Sequence, residues 1–218
     1  MASSLRRSLA LAAMAALPTL TQAASLYKVE MLVFSHENTA ADLQQEYWPQ
    51  QPPLDLSGAV HTQPWDGYPL ANFEELPPND RFLAGSAAAL QRDPNYRVIY
   101  HGGWLQSIGA ESRAREVRIS ASQGKFELDG SIRLHKQRFL HAHPVIDLKT
   151  HDTGAPARNN TPESTTDSGQ AALTAAALPD AIEDSLWRLD QTRRMRSNET
   201  HYIDHPRFGI LLRIRALN

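Results

Sequence analysis

The chain of 218 residues contains no cysteine. That excludes thiol nucleophiles, disulfides, iron–sulfur clusters and thiolate zinc sites, and it leaves no residue for a bacterial-type lipid anchor at a signal-cleavage point. Lys and Arg (22) do not exceed Asp and Glu (24), so no bulk attraction to nucleic acid is expected. Beyond the first two dozen residues, no apolar run reaches the ~20 residues a membrane-spanning helix needs. The sequence also lacks GxGxxG, GxxxxGK[ST], GxSxG and HExxH. Their absence removes the common routes to nucleotide chemistry, serine hydrolysis and zinc proteolysis.

What is present begins with an export signal. Arg6 and Arg7 precede an apolar stretch from Ser8 to Leu20, interrupted by Pro18. Thr21-Gln22-Ala23 then places small residues at the −3 and −1 positions, which predicts a secretory signal peptide over residues 1–23, cleaved after Ala23. Cleavage removes two arginines and no acid, so the net charge moves from −2 to −4. The mature chain, 24–218, is expected to be soluble, exported and a single domain.

Hydrophobic patterning predicts an α+β fold: a mostly antiparallel sheet of about seven strands, one or two helices and a flexible insert. Leu26–Phe34 reads as a strand buried on both sides over its second half. The region from His36 to Pro78 is proline-rich and aperiodic yet aromatic, which predicts an ordered loop wrapped on the body. Its Trp48, Trp65 and Tyr68 suit core packing, or else a stacking platform for sugar rings. A helix is expected from Arg81 to Arg92, capped by Asn79 or Asp80, with Phe82, Leu83, Ser86, Ala87 and Leu90 inward. Strands follow at Tyr96–Leu105, with an irregularity at Gly102-Gly103, and at Arg115–Ala121. Phe126–Leu134 alternates strictly, and a turn near Lys136-Gln137 separates it from a strand continuing through Leu148. About 150–178 is rich in Thr, Ala, Ser and Asn with no aromatics, and is expected to be a disordered insert. Over Asp180–Arg196, Ile182, Leu186 and Leu189 fit a helix while Trp187, Leu189 and Met195 fit an extended strand; a short helix passing into a strand over Asp190–Ser197 is favoured. A hairpin around Asp204-His205-Pro206 closes the chain.

Histidine, with nine copies, is the over-supplied chemical residue. His141 and His143 share a strand face, and His201 and His205 bracket Asp204, so one alternative is a histidine-based periplasmic metal-binding protein. Against it stands an ordinary polar face with a His-Pro turn. Arg188, Arg193, Arg194 and Arg196 form a basic run that either clamps a carboxylate or phosphate or balances Glu183, Asp184 and Asp190. The adjacent pairs Glu74-Glu75 and Glu183-Asp184 point apart and designate no catalytic acid.

The run Arg193-Arg194-Met195-Arg196-Ser197-Asn198-Glu199, then His201–Pro206 (HYIDHP) and Phe208–Ile214 (FGILLRI), taken with Tyr96–Gln106 (YRVIYHGGWLQ), Arg138–His141 (RFLH) and Tyr27–Phe34 (YKVEMLVF), resembles the CsiV family of periplasmic peptidoglycan-binding proteins of gammaproteobacteria. Phe139 stands where that family pattern suggests Tyr. The resemblance implies a non-enzymatic envelope factor that binds peptidoglycan and supports cell-wall assembly and cell shape. It also implies partnership with an outer-membrane lipoprotein that activates a bifunctional penicillin-binding protein, and no cofactor. It supplies no catalytic residues. The matching stretches mark Trp104, Arg194, Arg196, His201, Tyr202 and His205 as ligand-binding candidates. The same stretches also suit fold roles, with Gly209 for backbone geometry, Pro206 for a turn and Tyr202 for packing.

Overall fold

The computed structural model describes residues 25–37, 51–67, 71–151 and 185–217. Within them the chain forms nine strands and one α-helix. The strands are β1 (Ser25–His36), β2 (Tyr96–Ile108), β3 (Glu116–Gln123), β4 (Phe126–Lys136), β5 (Leu140–Thr150), β6 (Ser185–Asp190), β7 (Arg193–Met195), β8 (Thr200–His205) and β9 (Phe208–Ala216). The helix, α1, covers Ala84–Arg92. Every strand pair is antiparallel. Sheet A has the order β2-β1-β9-β8, and sheet B the order β3-β4-β5-β6, with β7 also pairing β5. The strand total is therefore nine in two sheets, rather than about seven in one.

Period-2 alternation explains why the sheets stack. Tyr27, Val29, Met31 and Val33 of β1 join Phe208, Ile210, Leu212 and Ile214 of β9 in one buried cluster with Val117, Ile119, Leu128, Ile132, Ile146 and Leu148 of sheet B. Burying that apolar area between two sheets is the main force holding the sandwich. The other face of β1 packs Leu32 against Leu83 and Ala87 of the helix segment, with Leu90, Val98 and Leu211 at the margin. The second half of β1 is thus covered on both faces, by sheet B and by α1.

The helix starts later than the sequence suggests. Pro78–Asp80 forms a short 3₁₀ turn, Asp80 pairs with Lys28 at 2.6 Å, and neither Asn79 nor Asp80 caps α1. The cap comes from 52 residues away. Buried Glu30 on β1 accepts the backbone N–H groups of Phe82 at 2.6 Å and Leu83 at 2.9 Å, and its Oε1 lies 2.8 Å from His101 Nε2. A carboxylate at a helix start satisfies orphan donors and meets the positive end of the helix dipole. Phe82, expected inward, is instead exposed beneath the Arg213 guanidinium at 3.6 Å.

Two further expectations change. The irregularity between β1 and β2 falls at Ile99, where Val33 pairs Tyr100 but Phe34 pairs Val98. Gly102 instead leaves room for the Tyr100 phenol, whose oxygen lies 2.0 Å from where a Cβ would stand. From Ser185 the chain is strand, not helix, because alternate Trp187 and Leu189 fill the core while Arg188 between them binds Asp147. The long loop does wrap: Val60 bridges Val117, Gln63 bridges Glu74, and Glu75 bridges Trp104. Trp65 remains at the surface. Trp48, Tyr68, the expected signal segment 1–23 and all but the first two residues of the expected insert lie outside the described residues.

Candidate functional site

The outward row of sheet A gathers aromatic rings at one end. Register sets Phe34 on β1 between Val98 on β2 and Gly209 on β9, with His36 opposite Tyr96 and Asp204 opposite Gly209. Tyr202 belongs to the same outward row of β8. Phe34 and Tyr202 stack at 6.2 Å with planes 13° apart, and Tyr96 meets Phe34 edge-on at 5.5 Å. His36 completes the group, 5.7 Å from Phe34 and 5.8 Å from Tyr96, and its Nδ1 hydrogen-bonds the Pro206 carbonyl at 3.3 Å.

Gly209 is the floor of this shelf. A Cβ there would lie 2.6 Å from Phe34 Cζ and 2.6 Å from Tyr202 Cε2. The missing side chain lets both rings lie close against the sheet. Phe34 is buried, whereas Tyr96 is 37% and Tyr202 44% exposed. The Tyr202 hydroxyl donates to Asp204, and burial together with that bond raises its pKa, so it is a phenol at physiological pH. The Arg97–Glu37 pair, 3.2 Å apart, joins the ends of β1 and β2 that carry the shelf. Two exposed phenol rings beside hydroxyl and carboxylate groups suit the apolar face and polar edge of a sugar.

The sequence candidates separate. Tyr202 is on the shelf. His205 lies behind it, 8% exposed, with Nδ1 accepting the Arg207 N–H at 3.2 Å and its ring 4.7 Å from Phe208. Burial, its largest cause, lowers the His205 pKa to about 4, so the ring is neutral. His201 accepts the Arg196 backbone N–H at Nε2, 3.1 Å away, which gives it a structural task in the β7–β8 connection. Arg196 is exposed, with Glu199 at 3.7 Å. Arg194 stands on sheet B, opposite His141. Trp104 must be corrected as a surface candidate: it is 0% exposed, and its Nε1 donates to Gln106 Oε1 at 2.9 Å inside the core. Its place opposite Val29 on the inner face of sheet A explains this. Sequence reasoning missed Phe34, His36 and Tyr96 as site residues. Only the pairing of strands far apart in sequence brings them to Gly209.

Several of the other chemistry-bearing residues are matched within the chain. His143 lies 2.7 Å from Asp190, and His141 stacks on His135. Among the described residues no three His, Asp or Glu side chains gather to hold a metal, so the metal alternative gains no support. Arg188 is held by Asp147 through two hydrogen bonds of 2.6 and 2.7 Å, the first cause of its raised pKa. An open cleft of about 390 Å³ beside β3 is lined by Asp55, Ser57, Arg115, Glu116 and Arg133. Its Asp55 is engaged by Ser57 and its Glu116 by Arg133. No described helix is long and apolar enough to cross a membrane.

The chain matches the profile of a family of peptidoglycan-binding proteins, over residues 5–217. That family is CsiV, and the chain belongs to it. The family's description names binding and no reaction. No match to the chain is found among the curated proteins or among the solved structures.

Proposed function

We propose that this chain is exported to the periplasm, binds peptidoglycan without processing it, and supports cell-wall assembly and cell shape. In this reading it acts beside an outer-membrane lipoprotein that activates a bifunctional penicillin-binding protein. The observation that carries the reading is membership of the CsiV peptidoglycan-binding family over residues 5–217. The signal-like residues 1–23 support export. The Phe34–Tyr96–Tyr202 shelf over Gly209 supplies a physical means of holding a glycan strand, through stacking on exposed rings with Asp204 at the edge.

The test is sedimentation of the mature protein with purified sacculi, assaying protein and soluble muropeptides in both fractions. Protein in the pellet with no released muropeptides is expected. Protein left in the supernatant at the level of an unrelated periplasmic control refutes binding, and released muropeptides refute the non-enzymatic reading.

A further inference from the structure

On the outward face of sheet B the arginines of β3, β4 and β6 are matched by carboxylates of the chain. Arg118 pairs with Asp129 at 2.7 Å, Arg133 with Glu116, Arg188 with Asp147 at 2.6 Å, and His143 with Asp190 at 2.7 Å. At the β4–β5 hairpin end this matching stops. Cross-strand register sets His135, His141 and Arg194 side by side on β4, β5 and β7. The two imidazoles stack at 4.9 Å with planes 4° apart. The Arg194 guanidinium lies 4.6 Å from the Phe139 ring centroid, and that of Arg138 lies 5.4 Å from it. Phe139 is 42% exposed. Neither Arg138 nor Arg194 forms an ion pair among the described residues. Glu111, the carboxylate at this end, is 4.0 Å from His135 Nε2 and accepts from Gln137.

A guanidinium offers a flat fork of donors matched to a two-oxygen anion, and stacking on a ring holds it in place before the anion arrives. Pre-placed side chains lose less entropy on binding. Elsewhere on this face the arginine forks meet carboxylates of the chain itself. Here two forks share one exposed ring and meet no carboxylate among the described residues.

We propose that Arg138, Phe139 and Arg194 form a second ligand site, and that its ligand is the carboxylate-bearing stem peptide of peptidoglycan. This rests on the peptidoglycan reading above. The polymer combines sugar rings with short peptides that carry free carboxylates. The shelf on sheet A suits the rings, and the guanidinium pair on sheet B suits the carboxylates.

The experiment measures binding of two soluble fragments, a disaccharide–tetrapeptide and peptide-free glycan chains. The proteins are wild type, the Arg138→Gln/Arg194→Gln double variant and an Arg92→Gln/Lys125→Gln control that removes the same charge elsewhere. All substituted residues are exposed, and a melting curve verifies each fold. The double variant is expected to bind the disaccharide–peptide at least tenfold more weakly and the peptide-free glycan unchanged. The control is expected to match wild type with both. Phe139→Leu, which keeps both charges without the ring, is expected to fall between. Equal disaccharide–peptide binding by the double variant and wild type overturns the proposal. So does a wild type that ignores the peptide and instead sediments with vesicles of anionic phospholipid. A wild type that holds peptide-free glycan but gains nothing from the peptide overturns this site alone. One that holds neither fragment nor sacculi overturns the peptidoglycan reading with it.

Discussion

His205 gives a prediction whose sign and size follow from its surroundings. The imidazole is buried at the hairpin end of sheet A, against Phe208, with Nδ1 committed to the Arg207 N–H. Burial is the main reason its pKa falls from 6.5 to about 4; the Asp204 charge opposes the shift, and His36 and Arg207 add to it. The folded pKa is therefore depressed, and on acidification the unfolded chain takes the proton first. Stability from this group is complete above pH 6.5, declines as pH falls toward 4, and is lost below that. A shift of about 2.5 pH units at 1.36 kcal/mol per unit corresponds to roughly 3 kcal/mol, of which about 2.5 kcal/mol is lost by pH 4.5. His135, also lowered mainly by burial, acts in the same direction. The substitution His205→Asn isolates the effect, because the amide oxygen still accepts the Arg207 N–H and nothing titrates. Urea unfolding of both proteins at pH 7.5 and 4.5, followed by tryptophan fluorescence, is the assay. The variant is less stable than wild type at pH 7.5, having lost the ring contact with Phe208, and the gap closes by about 2.5 kcal/mol at pH 4.5. Two profiles that fall in parallel would refute the reasoning.

Two substitutions test the architecture around the shelf. Gly209→Ala brings a methyl within 2.6 Å of both Phe34 and Tyr202, and is expected to cost about 1–3 kcal/mol in urea unfolding and to weaken glycan retention; unchanged stability would mean the rings are not seated on the glycine. Glu30→Gln replaces a carboxylate that accepts from Phe82, Leu83 and His101 with an amide having a single acceptor oxygen, an expected loss of about 1–3 kcal/mol. Hydrogen exchange of the α1 amides should quicken in that variant, and unaltered exchange would show that the helix does not depend on its remote cap.

Period-2 strands were legible in the sequence because burial on one face leaves an alternating signature. Phe126 to Leu134 and the closing hairpin emerge where alternation and the His205-Pro206 turn place them. The absence of thiols and the family likeness rest on local composition and motif, which one chain displays without folding. Features set by contacts distant in sequence were not legible. The α1 start depends on Glu30, and no local rule finds a cap on another strand. Residues 185–190 carry apolar spacing that fits either period, and pairing with β5 decides for strand. The site divided along the same line. Tyr202 lies inside a recognisable run. Tyr96 and Phe34 join it only because β1 sits centrally in sheet A, with β2 on one side and β9 on the other. Trp104 was a candidate through a family-like stretch, and the inward face of β2 buries it.

The most direct test is retention of peptide-free glycan chains by wild type and by a Tyr96→Ala/Tyr202→Ala variant, after melting curves establish that both are folded. Stacking of a nucleic-acid base on an aromatic ring is worth about 1–3 kcal/mol, and a comparable loss of about 1 kcal/mol for each of two rings makes the double variant bind at least tenfold more weakly. Equal retention by the two proteins would contradict the assignment of the shelf to glycan binding.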